Sequence, residues 1–427
     1  MNIIAVILIC FFVLVLLGFP IAFSMGISGA ITIVTVAQNI PLMVIPQRVF
    51  AAMDATALMA IPFFILAGEL MNGGGITRSI IRFSNSLIGH IRGGLAHVNV
   101  LASMMFAGLS GSAAADASSI GAMLIPAMEE DGYTPEFSVA VTAASACIGP
   151  IIPPSICAIV YASMSGLSVS SLFIGGVIPG ILIGLVQMAL IVWYAKRDNF
   201  RKGEWRGFGY VGKTFVEALP ALIMPLIILG GILSGIFSAT EAGVVACVYG
   251  TIVGFVKRNL TLKSLPTVFI NAATVAATTM IVIGFAQVLS WMLTRGQFAN
   301  ILLNAVLGFT DNKQIVFILL LIGLFILGFF IDTTALLILA VPVVAPIIAS
   351  IDIDPVHFAN LGIIMCIMGA CTPPVGVLLF ICCGIAKIPV MKGAKALAPF
   401  LTAMVILVII LSFIPGAVTW LPSLIKR

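Results

Sequence analysis

The feature that most constrains this chain is a broken apolar stretch that occurs twice. Within residues 108–155, two segments rich in small residues interrupt a hydrophobic sequence, residues 108–116 (GLSGSAAAD) and 149–155 (GPIIPPS). Glycine and proline free backbone carbonyls from the helical ladder, and at membrane depth such carbonyls are tolerated only where protein or a cavity provides partners. The stretch therefore indicates a binding site rather than two ordinary membrane spans.

The same stretch recurs without a gap in the second half of the chain, at the offset that separates Gly108 from Gly328. Five of the six prolines between residues 108 and 180 have a proline at that repeat offset, namely Pro126 with Pro346, Pro135 with Pro355, Pro153 with Pro373, Pro154 with Pro374, and Pro179 with Pro399. Two helices that merely share a Pro-Pro kink would explain one match but not five. The pattern therefore predicts an internal duplication.

The composition places the chain in a membrane. Hydrophobic residues make up 61% of it and charged residues only 8%, whereas a soluble domain is about half apolar. Long apolar runs near the roughly 20 residues that cross a bilayer predict an all-α polytopic protein of the bacterial inner membrane. The first run has almost no preceding positive charge and no small-residue cleavage site, so we expect a retained helix that Gly18 and Pro20 kink or split.

Two shorter pieces, residues 110–128 and 333–348, are better suited to re-entrant hairpins than to full spans. Basic residues cluster at 196–213 and 257–263, with two apolar segments between the clusters. Positively charged loops stay cytoplasmic, so both clusters are expected on one side. About five spans separate Pro179 from Gly328, and because an odd number inverts one repeat relative to the other, we predict inverted repeats.

These patterns divide the chain into five parts. They are N-terminal scaffold helices (1–72), an interfacial amphipathic arm (73–94), repeat 1 with hairpin 1 and a broken helix at 149–155 (95–195), a basic cytoplasmic loop with scaffold helices (196–294), and a second arm with repeat 2, its hairpin 2 and a broken helix at 369–376 (295–427).

Several functional classes find no support. The eight cysteines lie in apolar segments without Cys-x-x-Cys spacing, and the three histidines are scattered, so neither a metal site nor a catalytic group of nucleophile, base and orienting residue is indicated. A phosphate-binding loop is also missing from the sequence. We therefore expect neither an enzyme nor an organic cofactor, and no nucleic-acid partner, because no aqueous domain presents the positive charge.

Oxygen-bearing residues gather at the duplicated breaks. A dehydrated sodium ion needs several oxygen ligands, and each repeat supplies hydroxyls, a carboxylate and freed carbonyls. The predicted sodium ligands are Ser110, Ser112, Asp116, Gly149 and Pro150 in repeat 1 and Asp332, Thr333, Gly369 and Thr372 in repeat 2.

An ionisable residue inside a membrane segment is a functional hypothesis by default. Asp332 fits that description best and can equally be a helix N-cap, since it precedes two threonines and an apolar run. Asp116 has the same two readings, ion ligand or cap of the second half of its hairpin.

Neither duplicated core contains arginine or lysine, which matters if the substrate is an anion. Its carboxylate would be held by hydroxyls and by the positive ends of the broken helices, with sodium adding charge. The predicted substrate residues are Ser112, Ser155, Thr334, Pro154 and Pro374. For Glu69, Glu241 and Arg295, the other charges beside apolar runs, we expect salt bridges, interface positions or subunit contacts in preference to contact with the substrate. The acids at 129–136 and 352–354 are expected to be solvated turn residues.

Four motifs carry a resemblance to a known family. They are residues 61–71 (IPFFILAGELM), 108–116 (GLSGSAAAD), 149–155 (GPIIPPS) and 371–376 (CTPPVG). In this order and over essentially the whole chain, the sequence resembles the large membrane subunit of tripartite ATP-independent periplasmic (TRAP) transporters.

The resemblance implies an elevator-type importer driven by a sodium gradient. It also implies two partners, a separate small four-helix membrane subunit and a periplasmic binding protein that delivers an organic acid. Sialic acid is favoured among family substrates, with C4-dicarboxylates and sugar acids as alternatives. A stand-alone sodium/carboxylate symporter that needs no binding protein is the competing interpretation.

Overall fold

The computed structural model describes residues 3–310 and 312–425, and within them every regular element is helical. In these ranges a short 3-10 helix at Thr56–Met59 accompanies twenty α-helices. The α-helices are α1 (Ile3–Leu16), α2 (Ile21–Thr35), α3 (Val44–Met53), α4 (Ala60–Gly73), α5 (Ile76–Ile88), α6 (Gly94–Ser110), α7 (Ala113–Glu130), α8 (Pro135–Ala146), α9 (Ile156–Ser165), α10 (Val169–Arg197), α11 (Phe208–Leu233), α12 (Ala239–Val256), α13 (Leu265–Arg295), α14 (Phe298–Phe309), α15 (Lys313–Gly328), α16 (Thr333–Ser350), α17 (Pro355–Ala370), α18 (Val377–Ala386), α19 (Val390–Ser412) and α20 (Gly416–Ile425).

The first apolar run is split, as its sequence predicts. Helix α1 ends before Gly18, which has a left-handed φ of 86°, and α2 begins directly after Pro20. The two helices pack against each other, and α2 packs against α13. The run therefore forms a helical pair rather than one continuous helix.

Seven segments of the described chain are long and apolar enough to cross a membrane by length and composition. They are Thr56–Gly73, α10, α11, α12, α13, α16 and α19. Helix α16 belongs to the second predicted hairpin, and its most apolar window is 61% buried inside the protein, against 22% for α11. Apolar composition alone does not separate a buried hairpin helix from a lipid-facing span, whereas packing does.

The duplication is confirmed helix by helix. Shifting α7 by the repeat offset gives the bounds of α16, and α6–α10 correspond in order to α15–α19. In each repeat a helix ends, an irregular segment with a cis Pro-Pro bond follows, and a short helix resumes. The two broken helices are therefore α8 with α9 and α17 with α18.

Contacts between the repeats occur in exchanged pairs. Helix α7 of repeat 1 packs on α18 of repeat 2, and α16 of repeat 2 packs on α9 of repeat 1. The pair α8 with α19 likewise has its counterpart in α17 with α10. Such reciprocal contacts are those of two halves related by a pseudo-twofold axis. Between the repeats lie three helices of spanning length, α11, α12 and α13, an odd number that inverts the second repeat.

The remaining long helices form an outer layer beside the repeats. Helix α4 packs along α12, and α13 packs against α2, α3 and α4. This layer reaches the repeats where α4 contacts α6 and where α13 contacts α16. The hairpin helices α6 and α16 therefore lie between the outer layer and the broken helices.

The two basic clusters lie on one side of the protein. The Lys257 ammonium group donates to the carbonyl oxygen of Glu217 at 2.8 Å and to the Ser79 hydroxyl on α5 at 3.3 Å. Further along the same arm region, Arg92 pairs through its backbone with Lys202. Lys257 directly follows α12 and lies beside the N-terminal part of α11, where the first cluster ends. The two clusters therefore lie at the same end of the α11–α12 pair, as predicted from charge.

Candidate functional site

The tip of hairpin 1 lies against the broken helix of its own repeat. Gly111 joins α6 to α7 with a φ of 58°, in the left-handed region that favours glycine. A Cβ atom at Gly111 would lie 2.3 Å from the carbonyl oxygen of Pro154. Ser112 then caps α7, because its hydroxyl accepts from the Ala115 N–H at 3.5 Å. The turn and the break are thus packed backbone to backbone.

Beneath this tip lies a buried carboxylate. Asp116 is 0% exposed, and one of its oxygens accepts a hydrogen bond from the Ser110 hydroxyl. Its other oxygen, Oδ2, has no hydrogen-bond partner among the described residues. A Cβ atom at Gly149 would lie 2.3 Å from that oxygen, so the carboxylate faces the backbone of the break. Ser112 is the helix cap, and the capping interpretation of Asp116 is therefore wrong.

The break in repeat 1 is organised by Ser155. Its hydroxyl accepts from the Ala158 N–H at 3.1 Å, which caps α9, and donates to the carbonyl oxygen of Pro150. Ser155 is only 2% exposed. Both hydrogen-bonding directions of its hydroxyl are thus used within the break.

The tip of hairpin 2 has the corresponding arrangement. The Asp332 carboxylate accepts from the Thr334 N–H at 3.0 Å and so caps α16. The Val375 N–H donates to the carbonyl oxygen of Phe329 at 3.0 Å, which ties this tip to the break of repeat 2. Within that break, the Thr372 hydroxyl donates to the Met368 carbonyl oxygen at 3.1 Å. Unlike Asp116, which is buried and caps no helix, Asp332 is exposed.

Both tips and both broken helices surround one cavity of about 520 Å³. Hairpin 1 contributes residues 110–115, hairpin 2 contributes residues 332–334, and the breaks contribute Pro150 and Ala370. Apolar side chains of α9 and α18 complete its inner wall, among them Ile156 and Leu378. The duplicated motifs therefore converge on a single cavity.

The structure divides the predicted site residues into two groups. Those that line the cavity are Ser110, Ser112, Pro150, Asp332, Thr333 and Thr334. Those outside its lining are Asp116, Gly149, Pro154, Ser155, Gly369, Thr372 and Pro374. Within the second group, Asp116 is bonded to Ser110 at the tip of hairpin 1, and Ser155 is bonded to the Pro150 carbonyl oxygen in the break.

Sequence reasoning missed the outer wall of this cavity. It is formed by α4 through Ile65, Gly68, Glu69 and Asn72 and by α13 through Val275 and Thr279. The Asn72 amide donates to the Ser119 hydroxyl of α7 at 3.0 Å. Glu69 was expected to form a salt bridge, an interface contact or a subunit contact in preference to a substrate contact. It faces the cavity and joins none of the ion pairs of the described residues, which favours the less expected alternative. The sequence did contain a signal for this wall, because Glu69 and Asn72 are three residues apart and so lie on one face of an otherwise apolar helix.

The other charges have local roles. Glu241 forms a capping box with Ser238 at the start of α12, and Arg295 lies over the ring of Trp291 at 5.8 Å. In the second turn region Asp354 is exposed, as expected of a solvated turn residue. It also caps α17 by accepting from the Val356 and His357 N–H groups, each at 2.9 Å.

The family follows from comparison with known proteins. Residues 8–417 match the family described as the tripartite ATP-independent periplasmic transporter, DctM component. This chain belongs to that family. Its members are transporter permeases rather than enzymes, and the family's transporters are tripartite.

Curated TRAP relatives match over nearly their whole length. A putative TRAP transporter large permease of Haemophilus influenzae is 38% identical over 94% of each chain. The sialic acid TRAP large permease SiaM of Vibrio cholerae is 34% identical, over 95% of each chain. The C4-dicarboxylate TRAP large permease DctM of the same organism is 35% identical, over 96% of each chain. The similarity to large TRAP permeases therefore extends through both repeats and the helices between them.

Among solved structures, the YdaH transporter of Alcanivorax borkumensis has a similar fold. The TM-score is 0.63 at 12% sequence identity, over 85% of this chain and 86% of that one. At this identity the likeness concerns the fold alone. The TRAP permease thus shares a polytopic helical architecture with a transporter of very different sequence.

Proposed function

We propose that this TRAP permease carries an organic acid inward across the bacterial inner membrane in symport with sodium, by an elevator movement of its repeats. The observation that carries the proposal is the single cavity where the tips of two inverted hairpins meet two broken helices. Discontinuous helices at a repeat interface are the recurring substrate and ion sites of secondary transporters.

The first sodium site is assigned to hairpin 1 and its break. The unpartnered Oδ2 of Asp116 is buried beside the backbone of Gly149, and leaving a buried carboxylate oxygen unsatisfied is costly. A sodium ion at this point would supply the missing partner. Ser110, Ser112 and Pro150 complete the proposed oxygen set.

The second sodium site is assigned to the equivalent place in repeat 2. Asp332 occupies the position of Ser112 after the shift by the repeat offset, and it faces the cavity. Thr333 lies beside it, and Gly369 and Thr372 belong to the facing break. Capping of α16 by Asp332 is compatible with an ion role, because an ionised carboxylate has about four lone-pair sites and can accept from the backbone while it binds a cation.

The substrate is assigned to the space between the tips. None of the described residues lining this cavity is a lysine, arginine or histidine, so an anion would have to be held by other means. Ser112 and Thr334 stand at the N-terminal ends of α7 and α16, where the helix dipole favours negative charge. Bound sodium adds the remaining positive charge, which makes ion binding a condition for substrate binding. Ser155, Pro154 and Pro374 are assigned a positioning role through the breaks.

For the identity of the acid, we propose a set of three substrate classes rather than one compound. The relatives named for sialic acid and for C4-dicarboxylate are 34% and 35% identical to this chain, so identity does not separate them. A cavity of about 520 Å³ lies within the usual range for small ligands. Sialic acid is the first substrate to test, followed by C4-dicarboxylates and sugar acids.

The elevator movement is supported by the division into two layers. The exchanged contacts bind the repeats to each other, whereas the outer layer meets them chiefly through α4 and α13. The cavity lies on this boundary, since α4 and α13 line its outer wall. Sliding of the repeats along the outer layer would carry the cavity contents from one side to the other.

The test is uptake into proteoliposomes that contain this chain and its small four-helix membrane subunit. Radiolabelled sialic acid, a C4-dicarboxylate and a sugar acid are compared, each with its periplasmic binding protein, with and without an inward sodium gradient. We expect uptake of one acid only when both sodium and the binding protein are present. Equal uptake without sodium would contradict the coupling, and equal uptake without the binding protein would favour the stand-alone symporter.

A further inference from the structure

A second cavity lies at the ends of α6 and α7 that are opposite the tip of hairpin 1, where two linkers meet. Its volume is about 370 Å³. The linker between α5 and α6 contributes Gly89, the start of α6 contributes Gly94, and the linker between α10 and α11 contributes residues 201–204 and Arg206. The Gly93 N–H donates to the carbonyl oxygen of Arg201 at 3.2 Å, which holds the two linkers together. The cavity is therefore built from both linkers rather than lying in a single loop.

Its lining carries three cations, Arg201, Lys202 and Arg206. Within the described ranges, none of them lies within 4.0 Å of a carboxylate. Arg206 instead donates to the Tyr210 hydroxyl at 3.5 Å. Asp131 and Glu204 also line the cavity and make no ion pair with any residue that the structure describes. The site thus offers an excess of positive charge together with two hydrogen-bond acceptors.

Exposed aromatic side chains flank the cavity at the start of a helix of spanning length. Trp205 and Phe208 flank Arg206, their rings lie 5.3 Å apart, and they are 45% and 84% exposed. Phe208 begins α11, which is long and apolar enough to span a membrane. Exposed aromatic side chains at the end of a spanning helix mark the headgroup region of the bilayer. A charged cavity at that level is accessible to lipid headgroups.

We propose that this cavity binds the phosphate group of an anionic phospholipid, with phosphatidylglycerol as the headgroup that fits best. The phosphate pairs with Arg201, Lys202 and Arg206, and the glycerol hydroxyls donate to Asp131 and Glu204. Basic pockets on the cytoplasmic side of membrane proteins recognise phosphorylated headgroups by this chemistry. Because the cavity joins both linkers, an occupied site ties the arm to the loop that follows repeat 1.

The experiment uses the complete chain, purified in detergent, with bound lipid counted by native mass spectrometry. Dioleoyl-phosphatidylglycerol, dioleoyl-phosphatidylcholine and inorganic phosphate are titrated separately. The test variant is R201Q/K202Q/R206Q, and the matched control K196Q/R258Q/K263Q removes the same charge from the same side of the protein. Single variants R201Q and R206Q serve if the triple variant does not fold.

Wild-type protein and the control variant should retain phosphatidylglycerol in preference to phosphatidylcholine. The test variant should bind phosphatidylglycerol about 100-fold more weakly, since each cation near an anionic lipid contributes roughly fivefold. Each single variant should lose about fivefold. If inorganic phosphate binds instead and the test variant loses it, the phosphate site stands with a soluble anion as its source. Equal binding by wild type and test variant, or an equal loss in the control, would overturn the proposal.

Discussion

The Ser110 hydroxyl donates a hydrogen bond to the buried carboxylate of Asp116 at the base of hairpin 1. The second oxygen of this carboxylate has no partner among the described residues and faces the break of the same repeat. The two sides of the tip are therefore joined through Ser110 and Asp116, and only one of the two carboxylate oxygens of Asp116 has a hydrogen-bond partner. An ion that completes the carboxylate would also fix the tip.

We expect Asp116→Asn to abolish sodium-dependent uptake while the protein still folds. Asparagine has nearly the same shape and can still accept from Ser110, but it lacks the charge that holds a sodium ion. Uptake is measured in proteoliposomes against sodium concentration, with folding followed by thermal unfolding in detergent. Glu130→Gln, which alters an exposed acid of the turn after hairpin 1, is the control and should transport normally. Wild-type sodium dependence in Asp116→Asn would argue against the first ion site.

Asp332 allows its two roles to be separated. Asp332→Ala removes both the cap of α16 and the charge, whereas Asp332→Asn keeps a good capping side chain. Loss of a cap costs about 0.5–2 kcal/mol of stability, so only the alanine variant should unfold at a lower temperature. Both variants should lose sodium-dependent uptake. Normal uptake by Asp332→Asn would show that the residue serves as a cap alone.

Gly111→Ala should destabilise the protein by more than the strain of a left-handed φ alone would cause. A left-handed φ costs a residue with a side chain about 1–2 kcal/mol, and here the new Cβ would also meet the Pro154 carbonyl at 2.3 Å. Gly166→Ala is the matched control, because Gly166 has a φ of 73° with no heavy atom within 4 Å of a built Cβ. The difference in unfolding temperature between the two variants measures the contact. Equal losses would mean that the tip does not press on the break.

The hydrogen bond between Asn72 and Ser119 links the outer layer to hairpin 1. If the repeats slide along that layer, this bond exists in only one of the two end states. Removing it should then shift the equilibrium between the end states by about 0.5–1.5 kcal/mol, which is up to roughly tenfold. Asn72→Ala and Ser119→Ala should therefore change the apparent substrate affinity alike, and the double variant should change it no further. The measurement is the concentration dependence of uptake. Fully additive effects would indicate that the two side chains act separately.

Much of the repeat architecture was predictable because prolines and glycines record backbone breaks directly. The repeat offset located both hairpins and both broken helices, and Gly18 with Pro20 indicated the split of the first helix. These residues act on their own backbone, so their effect is local and can be read without knowledge of the fold.

The cavity wall was less predictable because it depends on which helix packs beside the tips. Glu69 and Asn72 lie on α4, which is outside the duplication, and a single acid in an apolar run is equally consistent with a membrane interface. Ser155 shows a second difficulty. Its position beside the break indicated substrate contact, yet its hydroxyl is used by Pro150 and Ala158, since sequence does not tell which side of a break faces the cavity.

The exchanged packing of α7 with α18 and of α9 with α16 has a consequence for how this sequence can change over time. These helix surfaces in one half of the duplication are complementary in shape to surfaces in the other half. A larger side chain accepted on α16 must be matched by a smaller one on α9, although the two helices are encoded in distant parts of the gene. The two copies can therefore differ in sequence, but a change of side-chain volume at these surfaces of one copy has to be matched in the other copy.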